Sequence, residues 1–186
     1  MTLAEAILAA MTVLPCPADE PRAECQPWRA NVAQAVADVS EEATCSGEWA
    51  MPSCVPLYRG APDELAATLV EVAMHESGLR RRIQAWECRG LECDAVKHRK
   101  SGRVVRRLAR SMWQLHASPT IPGVKADVPR DVWLASTGTT HEAIVTAARA
   151  ATRLLVHAPQ AFGLGGKGPR SKAAWRILAS IRKAGP

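Results

Sequence analysis

The sequence predicts a mainly α fold, organised as one domain and interrupted by a small irregular β-hairpin insertion. Three observations carry that expectation. Apolar residues recur at helical spacing in separate segments along most of the chain. The stretch from Arg81 to Arg110 breaks that periodicity with a tight cysteine loop and a K-S-G turn. A length of 186 residues with 47% apolar content is enough for one sizeable core, and neither an internal repeat nor a low-complexity linker divides it.

The elements follow in order. M-T-L-A-E-A-I-L-A-A-M-T-V-L has no basic n-region and carries Glu5 inside its apolar run, so it reads as an amphipathic first helix rather than an export signal. Trp28, Val32, Ala35 and Val39 form the next stripe, followed by a loop from Thr44 to Arg59 with Gly47, Pro52, Pro56 and two cysteines. Pro62, Asp63 and Glu64 open a helix striped by Leu65, Leu69 and Val72, with Gly78 suited to its left-handed end. Within Arg81–Arg110, A-V-K-H and R-V-V-R-R-L around K-S-G read as a short hairpin. Thr139 or Thr140 caps a helix striped by Ile144, Ala148, Ala151 and Leu155, and Ser171 caps another carrying Trp175, Leu178 and Ile181. The last two are expected as core helices.

Charge and cysteines narrow the function classes. A net charge of +6 and a pI near 9.3 favour an anionic partner: nucleic acid, anionic lipid or the acidic polymers of a bacterial wall. No run approaches the roughly 18 apolar residues that span a bilayer. Six cysteines, at 16, 25, 45, 54, 88 and 93, fit an oxidising compartment. No C-x-x-C or H-x-x-x-H pair favours zinc, so disulfides are expected over any metal. Six cysteines allow fifteen pairings. Short-loop closure favours Cys88–Cys93 first, then Cys45–Cys54, then Cys16–Cys25.

The stretch V-A-M-H-E-S-G-L-R raises the functional question. Continuing the Leu65, Leu69, Val72 count lands on Glu76, a carboxylate where a core residue belongs. In the last turn of a helix the dipole disfavours negative charge, and the stripe adds desolvation, so both favour a proton on that carboxyl. A carboxyl that keeps its proton is what a general acid needs. The plainer alternative is a Glu turned to solvent at a helix end.

A second motif supplies company. Glu-Ser-Gly at a helix end, an irregular insertion, and then A-R-S-M-W-Q-L-H from Ala109 to His116 resemble the lysozyme-like fold of lytic transglycosylases and goose-type lysozymes. The family signature is E-S followed by G-L-M-Q-L/I or G-L-W-Q-I. Glu76 and Ser77 match its catalytic Glu and the following Ser; Met112, Gln114 and Leu115 match the second motif, with Trp113 where variants carry Met or Trp. Ser111 stands where the family has Gly. Phe162, Gly163, Leu164 and Gly165 stand at the third motif, Y-N-A-G, where Phe lacks the hydroxyl and Gly lacks the amide. The resemblance covers about Leu65 to Gly166. It implies a catalytic core over residues 61–186, with residues 1–60 a helical, cysteine-containing extension of the same domain.

The resemblance implies a muramidase of lytic transglycosylase type, acting as a monomer on peptidoglycan glycan strands and using no cofactor. Glu76 would be the acid and base; Ser77 would orient it; Gln114 would bind an acetamido group or hydroxyl; Met112 would belong to the substrate-binding motif, and Trp113 and Phe162 would pack on sugar faces. The core is an equally good home for Trp113. Glu87, Glu92 and Asp94 are the acidic residues of the insertion that a hydrolytic lysozyme would recruit as its second carboxylate. Exported-style cysteines without an export signal imply action on the wall, periplasmic or extracellular, reached by another route such as a phage particle. Two non-catalytic classes compete: a nucleic-acid binder, suggested by the basic run from Lys97 to Arg110, and an inactive lysozyme-like module that binds glycan only, suggested by Ser111 and the degenerate third motif. That run contains no aromatic residue for base stacking, so nucleic acid is not the expected partner.

Overall fold

A computed structural model describes residues 1–97, 100–117, 128–157 and 172–185. The protein is mainly α with a small β insertion. Its α-helices are α1 (Leu3–Thr12), α2 (Arg22–Thr44), α3 (Pro62–Ser77), α4 (Arg81–Gln84), α5 (Arg130–Ala135), α6 (His141–His157) and α7 (Lys172–Ala184). Strands β1 (Ala95–Lys97) and β2 (Val104–Arg107) pair antiparallel, as do β3 (Ala109–Arg110) and β4 (Leu115–His116). The hairpin expected around K-S-G is therefore β1–β2, with its register broken between Val96 and Lys97.

Local chemistry accounts for the helix boundaries. Thr2 caps α1 by accepting from the Glu5 N–H, while the Glu5 carboxylate accepts from the Thr2 N–H, a capping box that explains the acid in an apolar run. Thr140, rather than Thr139, caps α6 through its side chain to the Ala143 N–H. At the end of α3, Gly78 takes φ 65°, and the N–H groups of Gly78 and Leu79 bond Met74 and Ala73 carbonyls. This is a Schellman ending, which a side chain at Gly78 would strain.

One apolar cluster runs from Ala6 to Ile181. Helix α2 packs on α1, α3 and α6, and α7 packs on α1 and α3. Ile7, Met11, Trp28 and Val32 of the first sixty residues share this core with Leu65, Leu69 and Ile144, so the N-terminal extension is built into the helical body. Arg29, only 2% exposed, donates to the carbonyls of Met11, Leu14 and Pro15 and so closes the end of α1. Burial pushes its guanidinium below the usual arginine range. The stripes on α2, α3 and α6 are buried as their spacing predicts. On α7 the expectation needs correction: Trp175 is 51% exposed, and Ala174 joins Leu178 and Ile181 on the buried side. Ser171, the expected cap of that helix, lies outside the described residues.

All six cysteines are paired, as Cys16–Cys25, Cys45–Cys54 and Cys88–Cys93. Each bridge closes a short loop, the pattern that loop entropy favours. Among the described residues no helix is long and apolar enough to cross a membrane.

Candidate functional site

Glu76 occupies the last turn of α3, one step beyond the fully buried Leu65, Leu69 and Val72. Its side chain is 25% exposed, at the border between core and solvent, with Oε1 3.3 Å from Nδ1 of the exposed His75. The carboxyl is accessible from outside yet anchored on a rigid helix, as a proton donor to a bound molecule must be. Ser77 does not serve it: the hydroxyl donates to the Ala73 carbonyl of its own helix at 2.9 Å, and the residue is buried. The expected orienting bond to Glu76 is replaced by the local side-chain-to-backbone bond that helical serines favour.

The second motif is a tight turn between β3 and β4. Ser111 has φ 62° and Gln114 has φ 49°, both in the left-handed region. A glycine at position 111 would accept that angle freely. Ser111 compensates with its side chain: its Oγ accepts the Trp113 N–H at 3.2 Å, while its carbonyl accepts the Gln114 N–H and side-chain amide. Gln114 thus spends an amide hydrogen inside its own turn, and its Nε2 lies 4.0 Å from Sγ of Cys93. Met112 and Trp113 have no exposed surface. Their expected substrate contacts are corrected accordingly: they are core residues, and the Trp113 indole donates to the Leu69 carbonyl at 2.9 Å. That bond fastens the second motif to the helix carrying Glu76. Phe162, with the rest of the third motif, lies outside the described residues.

Gln84 is the hub that holds the turn. It is fully buried; its Oε1 accepts the Met112 N–H and its Nε2 donates to the carbonyls of Ser136 and Gly138. Beside it, Ile83, Cys93 and Ala109 make a second, smaller apolar cluster with Cys88 packed against it. The three candidate second carboxylates have different fates. Glu92 is tied to Arg82 through both oxygens and accepts the Arg89 N–H; the Arg82 hydrogen bonds hold its carboxyl well below the usual range, at about 2, against the opposing effect of burial. Asp94 meets Nε2 of His116 at 2.6 Å, and Glu87 is exposed. Arg82 also pairs with Asp19 at 2.7 Å, and these acids raise its own affinity for protons.

Sequence reasoning missed a third feature. The Arg110 guanidinium lies between two indoles, 3.8 Å from the Trp86 ring and 4.4 Å from the Trp133 ring. Each indole is fixed by its own N–H, Trp86 to the Ala109 carbonyl and Trp133 to the Leu115 carbonyl. The excess of Trp among the aromatic residues was the only signal in the sequence, because the three partners are far apart in it. Lys97, Lys100 and Arg103 of the neighbouring hairpin region are exposed, giving it a basic surface.

A cavity of about 420 Å³ lies elsewhere, between α2, α6 and the loop closed by Cys45–Cys54, and holds none of the motif residues. Among the described residues no three His, Cys, Asp or Glu side chains are grouped to hold a metal ion. The class defined by fold is mainly α with a small β insertion. The chain matches no known protein-family model, no curated protein and no solved structure.

Proposed function

We propose that the protein cleaves the glycan strands of peptidoglycan between N-acetylmuramic acid and N-acetylglucosamine, with Glu76 as general acid and then general base. The observation that carries this reading is the fastening of the Ser111–Gln114 turn to α3 through the Trp113 indole and the Leu69 carbonyl. It couples the two motifs that resemble lytic transglycosylases, with the partly exposed Glu76 on the same helix.

In the proposed reaction the Glu76 carboxyl gives its proton to the bridging oxygen as the bond from that oxygen to muramic acid C1 breaks. The substrate's acetamido oxygen bonds to C1 and takes up the developing positive charge. Glu76, now a carboxylate, removes the proton from the C6 hydroxyl; O6 attacks C1, the acetamido oxygen departs, and a 1,6-anhydro ring closes. Hydrolysis would need a carboxylate to activate water. Of the three insertion acids, Glu92 is committed to Arg82 and Asp94 is paired with His116, which leaves the exposed Glu87 alone to activate water and to that extent supports ring closure over hydrolysis. The protein would act as a monomer on the wall, outside the cytoplasm, where its three disulfides would persist.

Mass spectrometry of digested, purified peptidoglycan tests the reading. Fragments ending in anhydro-muramic acid are expected. Free reducing ends, one water heavier, would make the protein a lysozyme; intact glycan would remove the enzymatic reading. Glu76→Gln, which keeps the shape but has no acidic proton, should lower the rate by about 10³-fold while melting as the wild type does.

A further inference from the structure

We infer that the Trp86–Arg110–Trp133 stack is a binding platform for a carboxylate-bearing sugar, with the outer face of Trp86 receiving the apolar side of a pyranose ring and the Arg110 guanidinium receiving the carboxylate. The inference rests on the glycan reading above but on none of the residues that carry its chemistry.

The guanidinium supplies the first part. Arg110 has no carboxylate partner among the described residues. One nitrogen, Nη1, donates to the Thr137 hydroxyl at 2.9 Å; Nε is buried without an acceptor and closed to solvent, so a carboxylate would be met by the Nη groups. Buried Arg29 also lacks a carboxylate, but three backbone carbonyls satisfy it; Arg110 instead has two indole faces and a single hydroxyl. Burial lowers its affinity for protons, a cost that a bound anion would remove. Stacking fixes the plane of the fork, so little freedom remains to be lost when a carboxylate binds it.

Trp86 supplies the second part. It is 37% exposed, although an indole of that size gains by burial. Its backbone has φ 63°, a strained angle for a bulky residue, held by the Trp86 N–H to the Ile83 carbonyl and the indole to Ala109. The protein therefore holds a large aromatic plate at the surface in an unfavourable conformation, with one face against a cation and the rest partly open. C–H groups on the apolar side of a sugar pack on the electron-rich face of such a ring.

Binding is measured by calorimetry in the Glu76→Gln protein with three probes: a tetramer of alternating N-acetylglucosamine and N-acetylmuramic acid, the same glycan bearing its peptides, and neutral N-acetylglucosamine tetramer. Trp86→Ala should weaken all three by about tenfold, and Trp86→Tyr should restore most of the loss because the plate returns. Arg110→Lys should weaken the acidic probes by about tenfold and leave the neutral tetramer unchanged, since an ammonium loses the planar fork. The acidic probe that loses more identifies the carboxylate as the sugar's own or the peptide's. Binding within about twofold of the parent for Trp86→Ala would overturn the platform. So would equal losses for neutral and acidic probes on Arg110→Lys, absence of glycan binding, or binding through Trp86 of a single-stranded oligonucleotide alone. Should Arg110→Lys not fold, the Trp86 pair decides the plate, and the parent's binding of acidic against neutral probes decides the carboxylate: equal affinities would overturn it. Wild-type protein that binds through Trp86 but leaves glycan uncut would sink the Glu76 chemistry alone; cleavage with Trp86-independent binding would sink the platform alone.

Discussion

The helical body of α1, α2, α3, α6 and α7 and the segment from Leu79 to His116 are held together by different chemistry. In the body, buried polar side chains mostly answer to their own helices: Thr68, Ser77 and Thr152 each bond the carbonyl four residues back. The rest of the interior is alkyl, with many alanines that let helices approach closely. In the segment, polar side chains bond across the chain, Arg82 to Asp19 and Glu92, Gln84 to Met112, Ser136 and Gly138. Strain is distributed the same way. Of the seven described non-glycine residues with positive φ, all but Cys45 lie in the segment: Leu79, Trp86, Cys93, Asp94, Ser111 and Gln114. A helical body can be assembled from interchangeable apolar parts, whereas the segment depends on particular bonds. Backbone strain retained by such bonds marks the part of the molecule where function is to be sought.

Substitutions can break or sharpen this contrast. The largest effect is expected at the seam, where Trp113→Ala removes both core volume and the bond to Leu69. A loss of about 4 kcal/mol in chemical denaturation is expected, and a loss below about 1 kcal/mol would mean that the two regions are not joined there. Arg82→Met should cost about 2 kcal/mol, the low end for a buried charge pair because Glu92 keeps 30% exposure. It leaves the helical body intact, so far-ultraviolet dichroism should change little.

Acid probes the same bonds without mutation. The folded-state affinity of Glu92 for protons is depressed, so its contribution is present above pH 4.5 and is lost as pH falls from there toward 2. Melting temperature should decline across that window, and Arg82→Met should flatten the decline; equal slopes in both proteins would exclude this pair as the cause. The smallest effect is expected at Ser111. Glycine would relieve about 1 kcal/mol of left-handed strain but lose a hydrogen bond of about the same worth, for a net change near zero. Ser111→Ala keeps the strain and loses the bond, so it should cost about 1 kcal/mol. Equal stabilities for the two variants would show that the left-handed angle costs nothing, and a Ser111→Ala protein as stable as the wild type would show that the hydroxyl contributes nothing.

The same contrast explains what could be read from the sequence. Stripes such as Trp28, Val32, Ala35 and Val39 report burial directly, because helix periodicity alone puts them on one face. The disulfides followed from closeness along the chain. Trp175 misled because its flank, Ala174, is small enough to be overlooked as the buried member of α7. At the candidate site, the placement of Glu76 in the last turn of its helix, next to Gly78, was legible from the stripe and the glycine. The burial of Trp113 was not, since a tryptophan suits both core and ligand surface. Gln84, Arg82 and the Arg110 stack were invisible for a simpler reason: their partners come from distant segments, and no local pattern encodes a bond between Trp86 and Ala109 or between Gln84 and Ser136.

The packing of α1 against α7 has a consequence for the order of synthesis. A ribosome releases the residues of α1 long before those of α7, and at about 5–20 residues per second the interval is on the order of ten to thirty seconds. Throughout it, the face of α1 that α7 covers in the finished protein lacks that neighbour. Arg29, joined to the end of α1, lets the first two helices assemble early as a pair, but the last wall of the core closes only with Leu178 and Ile181. Completion of this fold is therefore a late event, and a stalled chain would present an open apolar face to whatever chaperone or membrane stood nearest.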